Sequence, residues 1–340
     1  MDFSFSPEQD QLRAHARSFL EKRQEGASWP ELARLGWTGA SIPEAQGGAG
    51  LSFIEEAIVF EELGRALYAG PFFSTVALAL PALACAPELL AKVASGALTA
   101  TLAAGTAVEA RRVGDRWLLR GETGLVPDAG AVEAFVVHAR GPDGIGLYLA
   151  EPRDAQAQIR VLDTVDASRR LGRVTFADHD ARLLAAPPAA AKIIASTRRR
   201  ALAALALEAV GVASHALELG VEHAKGREQF GRPIGAYQAV SHKLADTYVE
   251  TELARSLAYW AAWCIAEDDG QAELAAVAAK AYAAEAAVAA CERAIQVHGG
   301  MGFTWDHPLH RYYKRALWIE AFDRSGASHR AEIARAVLGG

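Results

Sequence analysis

The stretch "GREQFGRPIGAYQ", Gly226 to Gln238, breaks a helical pattern that begins near Ser196, and the next helical run breaks in turn at "QVHGGMGF", Gln296 to Phe303. Glycines let a backbone approach a ligand closely, and free N–H groups beside a helix end favour an anion such as a pyrophosphate. Arg227 offers a planar fork for phosphate oxygens, Phe230 an aromatic face, and Gln238 and Gln296 paired donor and acceptor groups. Each break alone also reads as an inter-helix turn with capping glycines. Neither has the strand–glycine–helix setting of a dinucleotide fingerprint.

Outward from these breaks the chain divides by texture. At the start, Ser6 is placed to cap a helix, Pro7 fits its first position, and Gln9 completes a capping-box pattern. Helical character continues to about residue 100, interrupted by glycine- and proline-bearing loops at "SIPEAQGGAG" (Ser41 to Gly50) and "LYAGPFFS" (Leu67 to Ser74). Between about Leu98 and Leu184 short β-branched or aromatic runs predict six or seven strands, with a hairpin at "RRVGDRWLLRG" whose tip is Gly114-Asp115. "AAPPAAAK" (Ala185 to Lys192) reads as a hinge. The long alanine-rich helices beyond it favour a four-helix bundle. The expectation is an α+β chain: an N-terminal helical domain over 1–97, a middle β-domain (barrel or sandwich) over 98–186, and a C-terminal four-helix bundle over 187–340.

A chain of 340 residues is long enough for two or three domains without covalent staples. Its 35 Lys and Arg against 41 Asp and Glu give a net charge of −6, which argues against nucleic acid as the main partner. Cys85, Cys264 and Cys291 are odd in number and unpaired by spacing, and read as reduced thiols in apolar helices of a cytoplasmic protein. The N-terminus lacks the apolar core of a signal peptide, and no membrane span is expected because no long apolar run is free of charge. The ten histidines show no zinc-ligand spacing, so no metal site is expected. Ser325, Ser328 and His329 lack an accompanying oxyanion loop, which argues against a hydrolase.

Taken together, RxQFGxPIxxxQ at Arg227 to Gln238, QxxGGxGF at Gln296 to Phe303, the terminal "EIARAVL" and the early "PEAQGGAGLSFIEEAIVFEELGRAL" resemble the acyl-CoA dehydrogenase family. The helical–β–helical order is also that family's. The resemblance implies FAD held across a subunit interface and α,β-desaturation of a CoA thioester, with a carboxylate removing the α-proton while flavin N5 takes the β-hydride. It further implies that Arg227, Phe230 and Gln238 contact FAD from one subunit. Gln296, Val297, His298, Gly299 and Gly300 would line the ADP part from the neighbour, with Ser325 a further cofactor contact.

The chain departs from the family's pattern at the reacting end. The usual base lies in a Tyr-Glu-Gly-Thr segment; here "ALWIEAFDRSGASHR" (Ala316 to Arg330) puts Asp323 at that place, with Phe322 before it and Arg324-Ser325 after. Asp323 is one methylene short and stands beside a guanidinium that favours its charged form. Glu320 falls one helical turn early. Where some members carry the base on an earlier helix, this chain has Arg200-Ala201; Glu208 is the only acid in the apolar run that follows, and reads first as a helix residue satisfied by an arginine. Arg198 to Arg200 read as a solvated helix start, or as contacts to CoA or flavin phosphates. The Glu-Pro-x-x-Gly-Ser-Asp loop of the β-domain is missing. Short members of this kind resemble the partner subunits of α2β2 dehydrogenases acting on steroid side-chain CoA thioesters, where a longer partner supplies the Glu and an electron-transfer flavoprotein takes the electrons. Two alternatives stand beside this: a self-sufficient homotetramer using Asp323, and a flavin-free scaffold.

Overall fold

The computed structural model describes residues 5–23, 26–105, 107–151 and 156–339. Its contacts gather the chain into two compact units, one of Met1–Gly26, Phe53–Tyr68 and Leu202–Gly340, the other of Ala27–Ser52 and Ala69–Ala201.

In the first unit, α1 (Pro7–Glu21) starts on the capping box read from sequence: Ser6 accepts from the Gln9 backbone, and the Gln9 side chain accepts from Ser6 N–H. In the second, α2 (Trp29–Arg34) begins on a like box at Ser28 and Glu31. The chain then returns to the first unit as α3 (Phe53–Arg65) and to the second as a π-helical stretch, Phe73–Ala79, running into α4 (Leu80–Leu83) and α5 (Pro87–Ala94). Cys85 lies in the exposed turn after α4, not in an apolar helix as expected; Cys264 and Cys291 are buried in helices.

Among the described residues eight strands form one sheet, one more than the upper expectation. They are β1 (Ala100–Ala103), β2 (Glu109–Val113), β3 (Arg116–Glu122), β4 (Val126–Pro127), β5 (Ala134–Gly141), β6 (Gly144–Ala150), β7 (Ala157–Leu162) and β8 (Leu171–Ala185). The pairings β5–β6, β6–β8, β8–β3, β3–β2 and β2–β5 close a ring around a core that includes Leu119, Phe135, Val137, Tyr148, Val174 and Phe176. The hairpin between β2 and β3 turns at Gly114-Asp115 as read, with Gly114 at φ +60°, the conformation a glycine-first two-residue loop needs. β1 and β4 are short and lack their own alternating pattern; β1 is specified by its parallel partner β5.

The remaining helices are α6 (Ala189–Gly226), α7 (Gln238–Ala266), α8 (Ala272–His298), α9 (Leu309–Ala321) and α10 (Gly326–Leu338). Between α6 and α7 a two-stranded hairpin pairs β9 (Glu228–Gln229) with β10 (Arg232–Pro233). In the first unit, α3 crosses α6 at two glycines. A Cβ on Gly64 would overlap the Glu208 carbonyl, and one on Gly211 the Glu61 carbonyl, so only glycine permits this approach. Alanines do similar service along α8, where Ala275, Ala279, Ala283, Ala287, Ala290 and Ala294 are all buried.

Among the described residues two helical runs, Ala189–Gly226 and Ala272–Phe303, are long and apolar enough to cross a bilayer by length and composition, although charges such as Glu208 and Lys280 interrupt each. Their apolar windows are 72% and 67% buried within the fold, so packing already uses that apolar surface.

Candidate nucleotide-binding and catalytic site

The two glycine-marked breaks meet at one end of the first unit. Val297, near the end of α8, packs with Ala224 and Leu244 and against Val221, Ile234 and Val240, which flank the other break. His223 stacks on His298 at 4.2 Å between ring centroids, and His298 meets His307 at 4.3 Å. The motifs that the resemblance distributes over two subunits are therefore neighbours within one chain.

The β9–β10 hairpin turns through Phe230 and Gly231, at φ +53° and +80°. Two consecutive left-handed residues suit the twist of a two-residue hairpin, but a bulky aromatic pays steric strain there, of order 1–3 kcal/mol. Phe230 is nonetheless 92% exposed. Strain held in a fully exposed aromatic marks a surface kept for something other than the fold.

Arg227 and Gln238 are exposed on either side of the hairpin, and Gln296 is exposed at the second break. Among the described residues, none of these three side chains makes a hydrogen bond or ion pair. α7 begins at Gln238 without a side-chain cap and without an acidic residue in its first turn. Its positive end and the Arg227 guanidinium are thus both available to an anion. Gly299 takes φ +61°, open on all sides, and Gly300 is equally open; Gly302 instead packs so tightly on the Ile295 carbonyl that a Cβ would collide with it. His298 is buried, its Nδ1–H donating to the Ala294 carbonyl at 2.8 Å. Arg227, Phe230, Gln238, Gln296, Gly299 and Gly300 thus present a charge, an aromatic face, amide groups and open backbone.

Asp323 is not one turn along a helix from Glu320. α9 ends at Ala321, and Asp323 sits in the following turn at φ +68°. Its Oδ2 accepts from Nε2 of His329, a fully buried ring on α10, at 3.1 Å. Ser325 caps α10, its hydroxyl accepting from the Ser328 backbone. The buried ammonium of Lys280 donates to the carbonyls of Glu320 (2.9 Å) and Arg324 (3.3 Å), closing the end of α9. Nothing in the local sequence announced Lys280, because it reaches this turn from α8.

Glu208 is answered by a residue distant in sequence. Arg315 on α9 lies 3.6 Å from its carboxylate and donates to the Tyr68 carbonyl at 3.0 Å. Both side chains are buried, which fits an acid paired for structure. Arg198 to Arg200 are half-buried, not solvated as first read: Arg200 donates to the Val76 carbonyl at 3.0 Å and to Ser41 at 3.1 Å. That role links three segments of the second unit, a use that no local pattern encodes.

This chain belongs to the acyl-CoA dehydrogenase family: residues 6–95 match the acyl-CoA dehydrogenase N-terminal domain and residues 166–338 its C-terminal domain. It is 35% identical to acyl-CoA dehydrogenase IpdE2 of Mycobacterium tuberculosis over 83% of this chain and 77% of that protein. It is 31% identical to FadE27 of the same organism over 91% and 87%. Among solved structures, a Tcur3481–Tcur3483 steroid ACAD variant superposes with a TM-score of 0.87 at 32% identity, covering 98% of each chain. The ChsE4–ChsE5 complex of M. tuberculosis gives 0.89 at 26% identity, covering all of both.

Proposed function

We propose that this chain is one subunit of a heteromeric FAD-dependent acyl-CoA dehydrogenase that introduces an α,β double bond into a CoA thioester carried on a steroid side chain. A longer, dehydrogenase-like subunit supplies the catalytic Glu, and an electron-transfer flavoprotein receives the electrons. The observation that carries this reading is the state of Asp323: the carboxylate at the base position is bonded to a buried imidazole in a left-handed turn. A general base needs its lone pair aimed at the substrate proton. This one is engaged in joining α9 to α10.

The cofactor side points the other way. Among the described residues the Arg227 side chain has no hydrogen-bond or ion-pair partner and the start of α7 no side-chain cap, and with the open Gly299-Gly300 backbone they suit a diphosphate. FAD, when bound, supplies the hydride acceptor of the desaturation. The chain's own residues bind and orient its nucleotide tail, while Phe230 covers apolar surface. The relatives support the steroid and heteromer readings: one structural neighbour is a steroid ACAD, and another is a two-subunit complex. A flavin-free scaffold is less well supported, since a strained exposed Phe230 and an unpartnered Arg227 serve no scaffold.

The test is an absorbance spectrum. Purified alone, the chain is expected to be flavin-poor and inactive on acyl-CoA substrates. Co-expressed with a longer dehydrogenase-like partner, it is expected to yield a yellow complex that turns over. A single chain with full flavin occupancy and turnover matching that of the complex would overturn the proposal.

A further inference from the structure

Strand β7 lies outside the closed ring and pairs with β8 alone. Thr175 of β8 meets Gln158 on one side and Glu122 on the other, and Gly172 meets Val161 and Val126 in the same way. β7 is therefore the last strand on its side of β8. Its pairing, from Ala157 with Phe176 to Leu162 with Leu171, runs without a register shift, whereas β3 and β6 each meet β8 with one. Gln158, Ile159, Arg160 and Val161 are all exposed. Among the described residues no strand pairs with the outer side of β7, and no backbone hydrogen bond reaches Gln158 to Leu162 from outside the β7–β8 ladder. Alternate N–H and C=O groups along it thus face outward. A regular open edge is a template for another chain, and folded proteins blunt such edges with bulges, proline or charge. β7 has no bulge and no proline, and Arg160 is its one charge.

That charge selects the occupant. Side chains alternate between the two faces of a strand. Ala157, Ile159 and Val161 continue the core layer of Val174, which lies across from Ile159, while Gln158 and Arg160 lie on the opposite face. Arg160 sits across from Arg173, whose carboxylate partner is Glu122 at 2.9 Å. Arg160 itself makes no ion pair among the described residues, so two guanidiniums on this face share one carboxylate. A second copy of β7 fits badly. Antiparallel pairing about a two-fold axis either sets both Arg160 side chains on one face, a diagonal or less apart, or sets Arg160 opposite Ile159 or Val161. An acidic side chain opposite Arg160 meets neither obstacle.

We propose that β7 is a docking edge for a partner protein, which adds to it an extended segment that is apolar toward Ile159 and Val161 and acidic toward Arg160. Main-chain hydrogen bonds to the open edge supply the affinity, and the alternating side chains supply the selection. The proposal stands apart from the flavin reading, because β7 contributes no residue to the nucleotide site.

The test uses two labelled synthetic peptides, one alternating valine with glutamate and the other valine with lysine. Each is added to the purified protein together with any subunit that co-purifies with it. Fluorescence anisotropy gives the affinities, and hydrogen exchange read by mass spectrometry follows the amides of residues 157–162. The glutamate peptide should slow exchange in β7 and bind about tenfold more tightly than the lysine peptide, since an attraction at Arg160 replaces a repulsion. Arg160→Glu changes an exposed side chain and should reverse that order, with a circular dichroism melt to check that the variant folds. Equal binding of the two peptides, no binding of either, an order that Arg160→Glu leaves unchanged, or protection confined to other segments would overturn the proposal. So would a dimer in sedimentation that Ile159→Lys splits, because the edge would then belong to a second copy of the chain.

Discussion

Replacing Arg315 by alanine is expected to destabilise the protein by about 3–5 kcal/mol, a large share of the roughly 5–15 kcal/mol that holds a folded domain together. Arg315 is fully buried and faces a Glu208 that is only 2% exposed. Its guanidinium approaches the Glu208 carboxylate at 3.6 Å and donates to the Tyr68 carbonyl at 3.0 Å. Truncation leaves a charge and a carbonyl in an apolar interior with less to bind them. The crossing of α3 and α6 at Gly64 and Gly211 lies beside Glu208, so water cannot enter there without parting the helices. Urea unfolding of the purified protein measures the loss. The double variant Arg315→Met with Glu208→Leu removes both charges and should recover most of it. If the single variant melts like the wild type, the pair is not the structural anchor described, and Glu208 regains its candidacy as a chemical group.

The second large effect is on the cofactor. Arg227→Ala is expected to weaken flavin retention by roughly 10- to 100-fold, the loss of a charge-assisted contact worth about 1.5–3 kcal/mol. Arg227 is exposed and supports no other part of the described chain, so the flavin-free protein should unfold at nearly the wild-type denaturant concentration. The ratio of flavin to protein absorbance after gel filtration reads the first effect, and the urea midpoint the second. Unchanged flavin content would show that the phosphate site lies elsewhere.

These two residues show what a sequence discloses and what it withholds. The break at Arg227 to Gln238 was legible because its residues form a fixed local spacing, and the structure does break the helix there into the β9–β10 hairpin. The Ser6–Gln9 capping box and the Gly114-Asp115 hairpin were legible for the same reason: each is completed within a few residues. Arg315 and Lys280 were not. One answers an acid on α6 and the other closes α9 from α8, and no periodicity records which distant group a buried cation will meet. An eighth strand went uncounted because elements such as β1 and β4, of four and two residues, carry too little alternation to register. The solvated reading of Arg198 to Arg200 failed because charge implies water only until a carbonyl such as that of Val76 is brought within 3.0 Å. Asp323 is the instructive case. Its place in the chain was evident, but its left-handed backbone and its bond to His329 depend on the packing of α10.

The central contention is that this chain grips a nucleotide but lacks the base, and Asp323→Asn in the purified, turning-over enzyme tests it most directly. Asparagine tolerates the left-handed conformation at φ +68° and can still accept a hydrogen bond from His329, so the turn should survive. The expected result is a kcat within about threefold of wild type, since a carboxylate that joins two helices contributes nothing to proton abstraction. A fall of about 100- to 10,000-fold, the scale on which a general base acts, would contradict it and make this chain an enzyme in its own right.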